Sequence, residues 1–324
     1  MNAFWLLCVT LSLAVFLIGA TIGALLANAA AWVTWRFGNA RLLHSPGLLF
    51  SIRVFPFAFG VILTVGFALP SFLLLEPTRS VETPEPYLIA LASLALMAIV
   101  FLAGRCGRLL FHSRKIVKRW LREAELLPFS LSIPVYQVRT SKSLIAVVGI
   151  LRPMVFVGKV AIASLSPEEL QAAIAHELAH VRSLDNLKRL VLKLTRLPHF
   201  FAALAKLDFV WSASSELSAD ASALRQGTSA LELSSAIVKV GRLKTPSTQR
   251  LPIAACHLIP PDVTASALAM RIRHLHDALE MHAKPPQNSS FCWAMTMLTG
   301  VAAYLLVLPA ALPVVHRWME WLAR

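Results

Sequence analysis

A multi-pass α-helical membrane protein carrying one α+β domain is the fold class that this sequence predicts, and three observations predict it. Hydrophobic residues make up 57% of the 324 and charged residues only 15%, more apolar surface than a soluble chain of this length hides in one core. The excess is gathered into uncharged runs long enough to cross a bilayer. Between the third run and the last lies a more polar stretch, in which short β-branched segments precede amphipathic helical patterns.

The chain carries no charge before Arg36, so residues 3 to 27 can span a membrane. Ala27-Asn28-Ala29 resembles the processing site of a cleaved leader, but no basic residue precedes the apolar stretch and the stretch is too long, so a retained span is expected. Val54 to Leu75, Tyr87 to Gly104 and Phe291 to Val315 bring the expected spans to four, with Pro56, Pro70, Pro309 and Pro313 kinking or ending helices. The expected organisation is three N-terminal transmembrane helices in 1–104, a domain in 105–284 that Lys284 to Ser290 links to the last span, and a C-terminal transmembrane helix with a short tail in 285–324. Arg105, Arg108, Arg114, Lys115, Lys118, Arg119 and Arg122 follow the third span with no acid among them, so that side is expected to be cytoplasmic. The N-terminus and the tail from His316 then lie outside.

The net charge of +14 resides mainly at these junctions, which makes anionic lipid the plain partner. Aromatic residues do not interleave with the basic cluster and no nucleic-acid motif occurs, which argues against direct nucleic-acid binding. Cys8, Cys106, Cys256 and Cys292 lack C-x-x-C spacing, so neither a thiolate zinc site nor a disulfide framework is indicated.

Ile133 to Thr140, Leu144 to Val148 and Met154 to Gly158, separated by Ser141-Lys142-Ser143 and Arg152-Pro153, predict a small antiparallel sheet. Its edge either pairs with an extended substrate backbone or only braces the next helix. That helix starts at Pro167: Ser166-Pro167-Glu168-Glu169 forms a capping box, and Leu170, Ala173, Ile174, Leu178 and Val181 recur at helical spacing. It carries His176-Glu177-Leu178-Ala179-His180. Two imidazoles at i and i+4 share a face and can reach one metal ion, and Glu177 between them is placed to serve as a general base. The rival reading is a surface helix that merely carries two histidines. A third ligand is expected from Ser215 to Ala221, where Glu216 and Asp220 stand one turn apart: Glu216 as ligand, Asp220 accepting from the outer ring nitrogen of a ligating histidine. A solvated acidic face is the alternative, weakened because only 17 acids occur in the chain. Leu197 to Ser212, with Lys206 and Asp208 near its centre, is expected to be a core or membrane-facing helix and not a fifth span.

The runs Val147 to Gly158, Leu165 to Leu170, His176 to Asn186 and Glu216 to Asp220, with Arg271-Ile272-Arg273-His274-Leu275 as an R-I-x-x-L element, together resemble the BlaR/MecR-type antirepressor membrane metallopeptidases over about residues 130 to 280. The resemblance implies a multi-pass α-helical membrane protein with a cytoplasmic α+β zincin-like (gluzincin) metallopeptidase domain. Zn2+ would be held by His176, His180 and Glu216, with Glu177 as base and Asp220 in support. Asp185 matches a recurrent acid, with no physical role evident beyond a helix N-cap or a contact behind a ligand. His199, His257, His274 and His276 are available to stabilise an oxyanion, and nothing singles one out.

The expectation is therefore a zinc-dependent metalloendopeptidase of the bacterial inner membrane, acting in signal transduction on a protein or peptide, such as a cytoplasmic repressor. Relatives that sense ligands continue past the final span into a large external domain, whereas about a dozen residues follow the apolar run here, so a membrane cue or a partner sensor protein is the expected trigger. The alternatives are a quality-control or prenyl-peptide-type metallopeptidase and, in another class, a non-catalytic membrane scaffold with a structural zinc site.

Overall fold

Long apolar helices and a small mixed sheet make up the fold, seen in a computed structural model that describes residues 3–37, 45–77, 83–129, 131–139, 144–195, 202–243, 255–258, 265–280 and 290–323. The turn at Ser141 to Ser143 and most of the Lys284 to Ser290 linker lie outside the described residues.

Helix α1 runs Ala3–Phe37, and α2, Pro46–Val61, starts at an N-cap in which Ser45 accepts from the Leu48 amide. A π-helical run, Ile62–Ala68, continues α2 into α3, Leu69–Leu75. Widening the turn frees backbone groups, and the hydroxyl of Tyr304 donates to Gly66 O at 2.8 Å. Helix α4, Pro86–Arg122, crosses Gly104 and Arg105 without a break, so its last span residues and the basic cluster share one rod. With α11, Ser290–Ala323, these elements provide four helical stretches long and apolar enough to cross a membrane. Pro56, Pro309 and Pro313 all lie inside helices, and none ends one. The start of α1 and the end of α11 meet in one cluster of Phe4, Leu7, Leu11, Phe72, Leu88, Met319 and Leu322. Tyr87 closes the same end through its hydroxyl, which donates to Leu322 O.

The sheet contains β1 (Glu125–Leu126), β2 (Val135–Val138), β3 (Ile145–Val148), β4 (Met154–Gly158) and β5 (Ala255–His257), in the order β1-β2-β4-β3-β5. The expected antiparallel sheet is instead mixed, because β2 pairs parallel with β4, Val135 opposite Val155, while β3 pairs antiparallel with β4 and β5. The physical reason is order: the tight turn at Gly149 folds β4 back on β3, and β2 is left to join the far side of β4. Gly149 has φ of 109°, and a Cβ there would meet Arg152 O at 2.5 Å.

Around the sheet stand α5 (Lys159–Ser164), α6 (Pro167–Arg182), α7 (Asp185–Leu194), α8 (Ala202–Arg225), α9 (Ala230–Arg242) and α10 (Ala265–Glu280). Val147, Val155 and Val157 of the sheet pack with Leu170, Ala173 and Ile174 of α6, Leu233 and Ile237 of α9, and Leu275 of α10 in one core. On the other sheet face Trp120 of α4 meets Phe156 edge-on, with ring centroids 5.3 Å apart, which docks the membrane-derived rod on the sheet. Of the helix expected over Leu197 to Ser212, the part from Ala202 is the first half of α8, whose second half carries Glu216 and Asp220, and residues 197–201 lie outside the described residues.

Candidate metal centre

Helix α6 begins as its sequence dictates. Ser166 Oγ accepts from the Glu169 amide at 3.2 Å and Glu169 Oε2 accepts from the Ser166 amide at 2.8 Å, a reciprocal capping box ahead of Pro167. The helix drives His176, Glu177 and His180 into the interior, where all three are at most 1% exposed. It ends at Arg182, and two residues later comes Leu184, the one non-glycine residue with positive φ among the described residues, at 55°. That left-handed residue turns the chain sharply enough for Asp185, at the start of α7, to reach back to His180. Asp185 Oδ2 lies 2.7 Å from His180 Nδ1, so Asp185 stands behind a histidine and is not the N-cap, a position that Leu184 takes.

Helix α8 crosses α6 and delivers Glu216, 3% exposed, and Asp220, fully buried. Glu216 Oε2 is 3.5 Å from His176 Nε2, Glu216 Oε1 is 3.7 Å from His180 Nε2, and the two Nε2 atoms are 3.2 Å apart. Asp220 Oδ1 lies 2.8 Å from His176 Nδ1. The two aspartates thus hold the outer nitrogens of the two rings, and the inner nitrogens converge on Glu216. Glu177 Oε2 accepts from the Val147 amide of β3 at 3.0 Å, while its Oε1 is buried with no hydrogen-bond partner.

Three residues surround the cluster to which the sequence assigned no role there. Arg271 of α10 donates twice to Asp220, Nε to Oδ2 at 2.8 Å and Nη2 to Oδ1 at 2.7 Å, once to Leu258 O at 2.6 Å, and approaches Glu216 Oε2 at 3.2 Å. It opens the R-I-x-x-L element, the only signal that could have found it. Arg189 of α7 donates to Glu216 Oε1 at 3.3 Å and lies over the Trp211 ring, 5.5 Å from its centroid. Cys256 lies fully buried on β5, opposite Val147 of β3. Asn186 donates to Val147 O at 3.3 Å and to Gly149 O at 2.8 Å, tying α7 to the β3–β4 turn. The strand beside the cluster is β3, which β4 and β5 flank on both sides, so the expected free edge at this position is covered by β5. His274 and His276 lie exposed on α10.

The charges of the cluster are set by burial and by close partners. Burial pushes the Glu177 carboxyl up to about 7, against the pull of His180 and His176. Burial likewise opposes charge on Glu216, yet His180, His176 and Arg271 hold it well below the usual carboxylate range. Burial lowers His180, and the facing Cys256, Glu216 and Asp185 outweigh it, so the ring is held well above its ordinary value; His176 is raised against burial by Asp220 and Glu216. Donor atoms of His176, His180 and Glu216 all lie within 4.8 Å of one another. Two donors about 2.1 Å from a tetrahedral zinc stand about 3.4 Å apart, close to the 3.2, 3.5 and 3.7 Å found here. These spacings mean that the donor set fits the ion.

No curated protein matches the chain. Residues 77–272, more than half of the sequence, match the family described as BlaR1 peptidase M56, and that stretch contains α4, the whole sheet, and every residue of the buried cluster. The resemblance read from scattered motifs is thus one continuous relationship, and the chain belongs to the BlaR1 peptidase M56 family of membrane-associated metallopeptidases.

Proposed function

We propose that the protein is a zinc-dependent metalloendopeptidase whose metal is held by His176, His180 and Glu216, with Glu177 as general base, in a zincin-like domain facing the cytoplasm of a bacterial inner membrane. Its substrate in this reading is a cytoplasmic protein such as a transcriptional repressor, cleaved in response to a membrane cue or a partner sensor. The observation that carries the reading is the convergence of three buried donor atoms at metal-ligand spacing beside a carboxylate with one unpartnered oxygen. An open three-ligand set next to a base suits catalysis better than a closed structural site.

Zinc, when bound, polarises a peptide carbonyl and acidifies water. The chain's own residues supply the rest. Asp220 and Asp185 engage Nδ1 of His176 and His180, which fixes the tautomers that leave Nε2 free to donate. The Val147 amide holds one oxygen of Glu177, so the other is aimed and free to take a proton. Glu177 is thus placed to accept that proton and to return it to a leaving amine.

Metal analysis and hydrolysis of an unfolded protein by purified enzyme test this together. Glu216→Ala is expected to lose the metal, because two protein ligands hold zinc poorly. Glu177→Gln is expected to keep metal and fold while losing at least about 100-fold in turnover, the low end of what a general base contributes. Full metal occupancy in the first variant, or unimpaired turnover in the second, would overturn the assignments.

A further inference from the structure

Helix α7 sends two side chains to the ligand cluster from one face. Asp185 and Arg189 stand at i and i+4, and each engages a ligand that another helix brings. Asp185 Oδ2 lies 2.7 Å from Nδ1 of His180 on α6, and Arg189 Nη2 donates to Oε1 of Glu216 on α8 at 3.3 Å. The two arginines at Glu216 are not equivalent. Arg271 approaches Oε2 at 3.2 Å as an ion pair, but its hydrogen bonds go to Asp220 and to Leu258 O. Arg189 instead places a hydrogen bond on the carboxylate itself, at the oxygen that faces His180 Nε2 at 3.7 Å. The guanidinium is held in turn. It lies over the ring of Trp211, 5.5 Å from the centroid, and Trp211 is 2% exposed and packed with Leu207 and with Ala27, Ala31 and Leu49 of the apolar helices. A planar, delocalised cation on an aromatic face keeps its orientation, which an ammonium on a flexible stem does not. Trp211 and Glu216 both belong to α8, so the helix that supplies the ligand also supplies the surface on which the ligand's partner rests.

We propose that Arg189 is a positioning residue for Glu216: stacked on Trp211, it holds Oε1 and so fixes the carboxylate plane that faces the two imidazoles. The proposal rests on the reading of His176, His180 and Glu216 as metal ligands. The last torsion of a glutamate is broad, so a carboxylate without a partner is only loosely oriented about it. Asp185 and Arg189 then serve His180 and Glu216 alike from one helix face, and the mutual placement of α6 and α8 at the site is tied to α7. A different role, in which Arg189 only balances charge, predicts the opposite sign for its removal. A cation beside a ligating carboxylate repels the metal, so if charge alone counted, taking Arg189 away would tighten the site. If orientation counts, taking it away loosens the site, because side chains that orient metal ligands typically contribute about 10–100-fold in affinity.

The test uses the full chain in detergent with Zn2+ alone as the probe, its affinity read by competition with a chromophoric chelator. Arg189→Met is expected to weaken Zn2+ binding by about 10–100-fold, and Arg189→Lys to recover only part, because an ammonium keeps the charge and loses the planar fork. Trp211→Leu is expected to weaken binding in the same direction. Combined with Arg189→Met it is expected to weaken it no further, since both changes act on one contact. Unchanged or tighter binding in Arg189→Met, a lysine variant equal to wild type, or losses that add in the double variant overturn the proposal. If the methionine or leucine variant does not fold, the lysine variant decides. A wild-type chain that does not bind Zn2+, or binding that His176→Ala leaves intact, overturns the metal reading beneath the proposal, which separates the two.

Discussion

Glu169 has no part in the proposed chemistry, yet it secures the helix that bears the metal ligands. Burial opposes its charge, but Lys239 Nζ at 2.7 Å, Ser235 Oγ at 2.5 Å and the Ser166 amide at 2.8 Å outweigh that cost and hold its carboxyl below the ordinary value. A depressed pKa stabilises the fold above the unfolded value of about 4.3, and the benefit is lost as pH falls through the lower folded value. Glu169→Gln is expected to cost about 1–3 kcal/mol at neutral pH in denaturant unfolding, and the gap from wild type should close below about pH 4. A gap independent of pH would mean that shape, and not charge, fixes this cap. Glu169 also shows what local sequence carries. The capping box and the i, i+4 histidines are written within fifteen residues, so α6 and its two imidazoles were legible. Leu184 was not, because nothing in a leucine announces a left-handed backbone, and without that turn Asp185 had no visible task.

Elements that meet across long separations were the least legible. Three β-branched runs announced strands, but pairing order is a property of the whole sheet, and the parallel β2–β4 pair and the cover of β5 over β3 left no local trace. The same holds for α10, whose Arg271 reaches Asp220 and Glu216 only because Leu275 docks the helix on the core. Removing that guanidinium strands two buried carboxylates. Arg271→Met is accordingly expected to destabilise the fold by about 3–5 kcal/mol, and Arg271→Lys to recover only part, since an ammonium lacks the two-pronged fit to Asp220. Thermal unfolding with and without added Zn2+ checks both. A methionine variant as stable as wild type would mean that the two arginines are redundant at Glu216.

At the scale of the molecule the hydropathy pattern was easily read, because a bilayer imposes length and composition on any helix that crosses it. Orientation is argued from charge. The basic residues from Arg105 to Arg122 continue the α4 rod toward the sheet, whereas Glu76, Glu85, the start of α1 and the end of α11 gather at the opposite end. Single-cysteine labelling in intact cells is expected to reach a position between Glu76 and Pro86 with an impermeant reagent and to miss one at Gln226. The reverse pattern would remove a cytoplasmic repressor from consideration and favour an extracytoplasmic quality-control protease.

Helix α8 belongs to both halves of the protein. Leu204, Leu207 and Trp211 pack against Ala27, Ala31 and Leu49 of the apolar helices, and Arg53 of α2 clamps Asp208 at 2.9 Å and Thr195 O at 3.3 Å. Glu216 rides the same rod, about 12 Å further along its axis. A hydrogen-bonded helix barely stretches, so any slide of α2 that carries Asp208 with it arrives at Glu216 undiminished. A slide of about 1 Å equals roughly half a metal–oxygen bond. Through this rod a displacement of the apolar helices would be carried to Glu216, so the same helix that packs among them also holds a donor of the candidate metal centre.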